Sequence, residues 1–307
     1  MNKSKRKGIE GIFPFLLMSS LFVLIDGLAL LVTGTFEAAG VSAFENPNDP
    51  MDLVYFFVTM LVFTGVILLI SRFRKRQTVH GIFLGAIGLS SFYVLYSLTD
   101  TVISELWSLG FSTVATIALI VMLVKYPEWY VVDACGIMAG VGSIAMFGIS
   151  LNISLVIILL IGMAVYDAIS VYKTGHMIDL ADTVLALRVP VMLVIPKIRN
   201  YSLIRETKSL KEKLLKGEER EAFFIGLGDI IFPGILFVST FYNIPGKGFL
   251  IALSVMAGTL LGFVTLMTSV VKGKPQAGLP YLSSGAILGY MVSSYILFGK
   301  LVGLTFP

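Results

Sequence analysis

Long apolar runs separated by short polar segments dominate this chain. An α-helix needs about 20 apolar residues to cross the hydrocarbon core of a bilayer. Nine such runs predict nine transmembrane helices: 12–33, 52–71, 79–98, 106–124, 129–149, 153–172, 221–242, 248–271 and 280–304. The first run follows a basic start but is long enough to span, so we interpret it as a helix and not as a cleaved signal peptide.

One long polar interruption divides the chain. We expect a six-helix part at 1–172, a loop at 173–220 and a three-helix part at 221–307. Within the loop, Pro190 and Pro196 bracket five apolar residues, three of them β-branched. This run is too short to span a membrane and predicts a β-strand.

The composition fits a membrane protein. Hydrophobic residues make up 56% of the chain and charged residues 14%, against about a quarter in soluble domains. With a single cysteine, Cys135, the chain has no internal disulfide and no thiolate-rich metal site. We therefore expect no metal and no cofactor, and we attribute the basic residues to membrane topology and not to nucleic-acid binding.

The basic residues predict an orientation. If the N-terminus is cytoplasmic, every Lys and Arg except Lys247 and Lys300 lies on the inner side. All charged residues of the first two outer loops are then acidic. Because basic residues are enriched on the cytoplasmic side, we expect the N-terminus inside and the C-terminus outside.

Four carboxylates fall within the predicted spans: Asp26, Asp133, Asp167 and Asp229. At 1.5 Å per residue, Asp167 lies about 9 Å from the inner end of the sixth run, and Asp229 about 12 Å from the inner end of the seventh. Consecutive antiparallel helices therefore place these two acids at matching depth. For Asp26 and Asp133 we expect hydrogen-bonded or interfacial side chains.

The neighbours of Asp229 favour close approach of another chain segment. Gly226 and Gly228 remove side-chain bulk beside the acid, and small residues let membrane helices pack closely. Pro233, four residues later, leaves the carbonyl of Asp229 without its helical donor. We expect a kinked or loosened turn at the acid.

Paired carboxylates permit two kinds of function. Two carboxylates about 3 Å apart cannot both ionise, so they share a proton; one can activate water while the other polarises a carbonyl. This is the chemistry of an aspartic protease. Paired acids also mark ion pathways, so a proton- or cation-coupled transporter or channel using Asp167 and Asp229 is the alternative. The only histidines, His80 and His176, adjoin basic loops, which excludes zinc and serine intramembrane proteases.

Two motifs resemble those of a known family. "AVYDA" (164–168), with Tyr166 and Asp167, and "FIGLGDIIFPG" (224–234), with Asp229, are similar to the YD and GxGD motifs of presenilin and signal peptide peptidase, and above all to archaeal presenilin homologues. The resemblance implies an intramembrane aspartyl protease with Asp167 and Asp229 as catalytic residues. It also implies nine helices and a strand in the loop between helices 6 and 7.

The family's third motif departs from its pattern here. The resemblance predicts Pro-Ala-Leu-Pro before the last helix. This chain has Ala277, Gly278, Leu279 and Pro280 there, so the first proline is lost. The leucine and second proline remain, and the other two positions stay small. We expect this segment to line the site at the end where both aspartates lie.

A substrate must expose its scissile bond. A transmembrane helix hides its carbonyls in its own hydrogen bonds, and unpaired backbone groups in a membrane are costly. We expect the strand from Val191 to Ile195, including Val194, to pair with unwound substrate by β-augmentation, with 278–280 as the opposite wall; the alternative is an apolar loop that only packs. The expected partners are single-span membrane proteins in the lipid bilayer of the cell membrane; whether copies associate is left open.

Overall fold

A computed structural model describes residues 3–44, 46–72, 76–174, 190–197, 201–204, 222–270 and 276–304. Over this part of the chain it contains nine α-helices: α1 (Lys3–Ala38), α2 (Pro50–Arg72), α3 (Arg76–Asp100), α4 (Glu105–Lys125), α5 (Trp129–Ser150), α6 (Ile153–Ile169), α7 (Leu227–Asn243), α8 (Gly248–Val270) and α9 (Leu279–Phe298). A π-helical turn, Ser170–Thr174, follows α6. Most of the predicted loop 173–220 lies outside the described residues.

The predicted nine-helix membrane fold is confirmed. Seven of the described helices are long and apolar enough to cross a membrane. Of the other two, α7 has 17 residues, and α2 is apolar over Pro50–Phe63, the continuous part whose side chains are described. The apolar side chains exposed along these helices fit a lipid environment. Lipid offers no hydrogen bonds, so backbone N–H and C=O groups must pair within the protein, as they do in a helix.

Helices α8 and α9 pack backbone against backbone. A Cβ atom at Gly258 would collide with the carbonyl of Gly285, and one at Gly262 with the carbonyl of Tyr281. Small residues at such a contact are how membrane helices approach closely without a hydrophobic driving force. The contact holds the start of α9 against the rest of the bundle.

Helix α7 lies at the centre of the bundle, in contact with α1, α5, α6, α8 and α9. Glycines create the space for it: a Cβ at Gly148 on α5 would lie 2.5 Å from Val238, and one at Gly234 on α7 would lie 2.6 Å from Ile144. The middle of α7, around Gly234 and Val238, is therefore packed closely against α5.

Two strands form one small antiparallel sheet: β1 (Met192–Pro196) and β2 (Ala222–Gly226). The predicted strand is confirmed, but the described part of the seventh run does not begin as a helix. Its first described residues, 222–226, pair with β1, and α7 starts only at Leu227. A five-residue apolar run does not distinguish strand from helix, and the glycines at 226 and 228 disfavour an earlier helix start.

Both faces of the sheet are covered. Leu193 and Ile225 belong to the main hydrophobic core, whereas Val194 and Ala222 pack in a second cluster with residues of α3, α4 and α5. The sheet is thus embedded between the two clusters. Among the described strands, none pairs with the free edge of β2.

Candidate active site

Asp167 lies near the end of α6, two residues before its last residue, Ile169. The π-helical turn starts directly after the helix, and such turns are frequent at functional sites. The carboxylate is partly buried and receives a hydrogen bond of 3.1 Å from the backbone N–H of Leu279, on Oδ2. The N–H of Gly278 also donates to it.

Asp229 lies in the first turn of α7. The sequence places it eight residues after Glu221, but five of the intervening residues form β2, so the acid lies at a helix start and not two turns inside a helix. Gly226 is the N-cap of α7 and not a residue on the same helical face, and its N–H donates to the Asp229 carboxylate. A helix N-terminus is a favourable place for a negative charge.

The segment before α9 joins the two acids. Leu279 and Gly278 bind Asp167, and a Cβ atom on Gly278 would lie 2.9 Å from both carboxylate oxygens of Asp229. The two acids, which come from α6 and α7, therefore meet at one short stretch of backbone. They are close enough to interact electrostatically.

The altered third motif keeps this close approach. Ala277 is fully buried, and Gly278 and Leu279 are also buried. Pro280 stands in the first turn of α9, where its missing N–H needs no partner. Gly278 has helical dihedrals, φ −78° and ψ −48°, which any residue can adopt. The lack of a side chain matters here because it lets the backbone approach Asp229.

The other residues predicted around the acids differ in position. Tyr166, beside Asp167, has a side chain that is 55% exposed on the surface of α6. A Cβ on Gly228 would make only ordinary contact with the ring of Phe232. Pro233 is buried inside α7, one turn after Asp229.

The structure changes the role of Val191 and Val194. The carbonyl of Val191 accepts a 2.9 Å hydrogen bond from the N–H of Leu227, next to the paired strands. One edge of β1 is therefore occupied by β2. The N–H of Val194 points away from β2 and donates to Asp133 Oδ1 at 2.7 Å. The expectation that this strand offers a free edge is wrong at Val194, because helix α5 already occupies it.

The remaining two carboxylates have distinct surroundings. Asp133 is hydrogen-bonded, as expected. Asp26 is not interfacial: it is 3% exposed, its Oδ1 has no hydrogen-bond partner among the described residues, and it lies against Gly234. Sequence reasoning did not find one further contact near the site, the hydrogen bond of 2.8 Å from the Tyr172 hydroxyl to Gln276 Oε1.

Over the described residues, no group of three or more His, Cys, Asp or Glu side chains is arranged to hold a metal ion. The described polar groups of the site are the carboxylates of Asp167 and Asp229 and the backbone amides around them.

The fold is that of a multi-pass membrane protein in which two carboxylates meet at one backbone segment. A family model described as "Signal-peptide peptidase, presenilin aspartyl protease" matches residues 19–299. The chain belongs to this family and is an intramembrane aspartic endopeptidase, which confirms the resemblance seen in the motifs.

Solved structures agree with this assignment. The chain is similar to a presenilin family intramembrane aspartate protease solved in space group C222, with 29% identity and a TM-score of 0.69 over 92% of this chain and 99% of that one. A structure in space group P2 gives 29% identity and a TM-score of 0.65 over 92% and 97%. A comparison with curated proteins gave no match.

Proposed function

We propose that Asp167 and Asp229 are the catalytic residues that hydrolyse peptide bonds within the transmembrane segments of substrates. The observation that carries this proposal is the position of one backbone segment: the N–H of Leu279 binds Asp167, and Gly278 lies against Asp229. One short backbone segment fixes two acids from different helices at one point. This is the preorganisation that acid–base catalysis requires.

The pair carries one proton between its two carboxyl groups. The ionised carboxylate takes a proton from water as the water oxygen attacks the scissile carbonyl carbon, and the other carboxyl gives its proton to the carbonyl oxygen. As the C–N bond of the tetrahedral diol breaks, the leaving amine takes the proton of one carboxyl, and a hydroxyl of the diol returns its proton to the other, which restores one proton on the pair. The N–H groups of Gly226, Gly278 and Leu279 orient the carboxylates throughout.

We propose that unwound substrate pairs with the free edge of β2. In an antiparallel pair, successive residues face the partner strand alternately, so the backbone groups of Ala222, Phe224 and Gly226 face away from β1. The last of these amides, Gly226 N–H, reaches Asp229. A strand added along this edge runs directly toward the catalytic pair, and the added hydrogen bonds satisfy the backbone that unwinding exposes.

The substrates that fit this site are single-span membrane proteins. The distribution of basic residues supports a cytoplasmic N-terminus, so the catalytic pair faces the inner half of the cell membrane and substrates with a cytoplasmic C-terminus are favoured. In this arrangement the three-helix part, 221–307, supplies Asp229 and the wall at 278–280. The six-helix part, 1–172, supplies Asp167, and the loop, 173–220, contributes β1.

An inhibitor experiment tests this function. The purified protein in a bilayer is incubated with a single-span substrate, with and without a transition-state mimic that carries a hydroxyl group. We expect fragments whose new ends map inside the substrate span and whose formation the mimic blocks. Intact substrate, or cleavage that the mimic does not affect, would contradict the proposal.

A further inference from the structure

We propose that Asp133 on α5 is a positioning residue of the protease, which holds the β1–β2 sheet so that the free edge of β2 leads substrate to Asp229. This inference rests on the proposed docking of substrate at β2. Asp133 does not contact the catalytic carboxylates in this role. It acts through the strand that it binds.

The primary observation is one buried hydrogen bond. Asp133 Oδ1 accepts the N–H of Val194 at 2.7 Å, and the two residues are 61 positions apart in the chain. Asp133 is 8% exposed and Val194 1%. Without this acceptor the buried amide of Val194 would be left without a partner, which costs more than the bond itself contributes.

Helix α5 is also shaped to receive β1. Gly136 lies on the same face of α5, one turn after Asp133. A Cβ atom there would lie 2.9 Å from Leu193 Cδ2 and 3.6 Å from the carbonyl oxygen of Pro190. Glycine thus lets the strand reach the helix surface at the point where the carboxylate binds it.

A second carboxylate fixes the chain beyond β1. Glu128, the N-cap residue of α5, accepts hydrogen bonds from the Ser202 hydroxyl at 2.6 Å and from the N–H of Leu203 at 3.0 Å. The same end of α5 therefore holds both β1 and the described segment that follows it. This makes α5 a platform for the part of the loop that lies beside the site.

The position of β1 determines that of Asp229. The strand pairs along its whole length with β2, and the carbonyl of Val191 binds the N–H of Leu227, the first residue of α7. Asp229 follows two residues later. If β1 loses its anchor on α5, the edge of β2 shifts relative to the acid, and a substrate strand on that edge no longer presents its scissile bond in register.

The test removes the acceptor and the donor separately. Asp133→Leu has a side chain of similar size without an acceptor, and Asp133→Asn keeps an oxygen for Val194. We expect Asp133→Leu to raise KM for a single-span substrate at least tenfold, while binding of the transition-state mimic stays within twofold. Asp133→Asn should restore KM to within about threefold of wild type.

Val194→Pro removes the same hydrogen bond from the other side. The N–H of Val194 does not face β2, so proline removes no bond within the sheet. We expect the same rise in KM, and no further rise in the double variant with Asp133→Leu, because both changes remove one interaction. Should Asp133→Leu fail to fold, Val194→Pro decides alone.

Three results would overturn the inference. The first is a wild-type KM in Asp133→Leu or in Val194→Pro. In that case the proposed catalytic pair would still stand if Asp167→Asn abolished cleavage. Parallel loss of cleavage and mimic binding would assign Asp133 to fold stability alone. Additive effects in the double variant would show that the two residues act separately.

Discussion

The backbone N–H of Leu279 donates a hydrogen bond of 3.1 Å to Asp167 Oδ2, across 112 positions of the chain. This bond ties the start of α9 to the end of α6. The preceding residue, Gly278, lies against Asp229. The site is thus assembled by three helix ends, and the third carries no acid.

Gly278→Ala tests how much the site depends on this close approach. The added Cβ would lie 2.9 Å from both oxygens of Asp229, so the carboxylate must move away from Asp167. We expect kcat to fall about tenfold or more, since small displacements of catalytic groups have large effects on rate. Gly110→Ala, with nothing within 4 Å of the new Cβ, is the matched control. Equal activity of the two variants would rule out a requirement for contact at Gly278.

Tyr172→Phe tests the contact between the π-helical turn and the segment before α9. The variant loses only the hydroxyl that donates to Gln276. Because one hydrogen bond contributes about 1 kcal/mol, we expect cleavage to fall about fivefold. Tyr130→Phe on α5, with a similarly exposed side chain, controls for loss of a surface hydroxyl. If Gln276→Met leaves cleavage at the wild-type rate, the contact has no part in the reaction.

The sequence predicted the helices and the two acids because both are local properties. Nine apolar runs predict nine helices by their length, and counting residues from the loop brings Asp167 and Asp229 to the same end of consecutive helices. The pattern predicts a helix for the stretch from Ala222 to Gly226, whereas pairing with β1 makes it a strand; composition alone does not reveal that partner.

Contacts between distant residues could not be predicted from the pattern. Asp133 binds Val194 across 61 positions, and Tyr172 binds Gln276 across 104. No periodicity along the chain records which buried acid meets which amide. Asp26 shows the same limit: the sequence places it within the first run, but its burial against Gly234 depends on how α1 and α7 pack.

Phe224→Pro tests substrate docking at β2. Proline removes an N–H that faces away from β1, whereas Phe224→Ala removes only the side chain. We expect the proline variant to raise KM several times more than the alanine variant, with mimic binding unchanged in both. Equal KM values would show that substrate does not pair with this edge.

Cysteine labelling tests the proposed orientation. In a Cys135→Ala background, Lys197→Cys lies next to β1 and Lys247→Cys lies between α7 and α8, at opposite ends of α7. We expect an impermeant thiol reagent added outside intact cells to label Lys247→Cys and to leave Lys197→Cys unlabelled until the membrane is opened. The reverse pattern would place the catalytic pair in the outer half of the membrane.

The rate of substrate cleavage by purified Asp167→Asn and Asp229→Asn variants, measured across pH beside wild type, tests the central claim most directly. Wild type should show a bell-shaped profile, because one proton must be present on the pair and one absent. Each variant should bind substrate, remain folded and produce no fragments at any pH, while Asp26→Asn retains turnover. Cleavage near the wild-type rate by either Asp167→Asn or Asp229→Asn would contradict the assignment of these two aspartates as the catalytic pair.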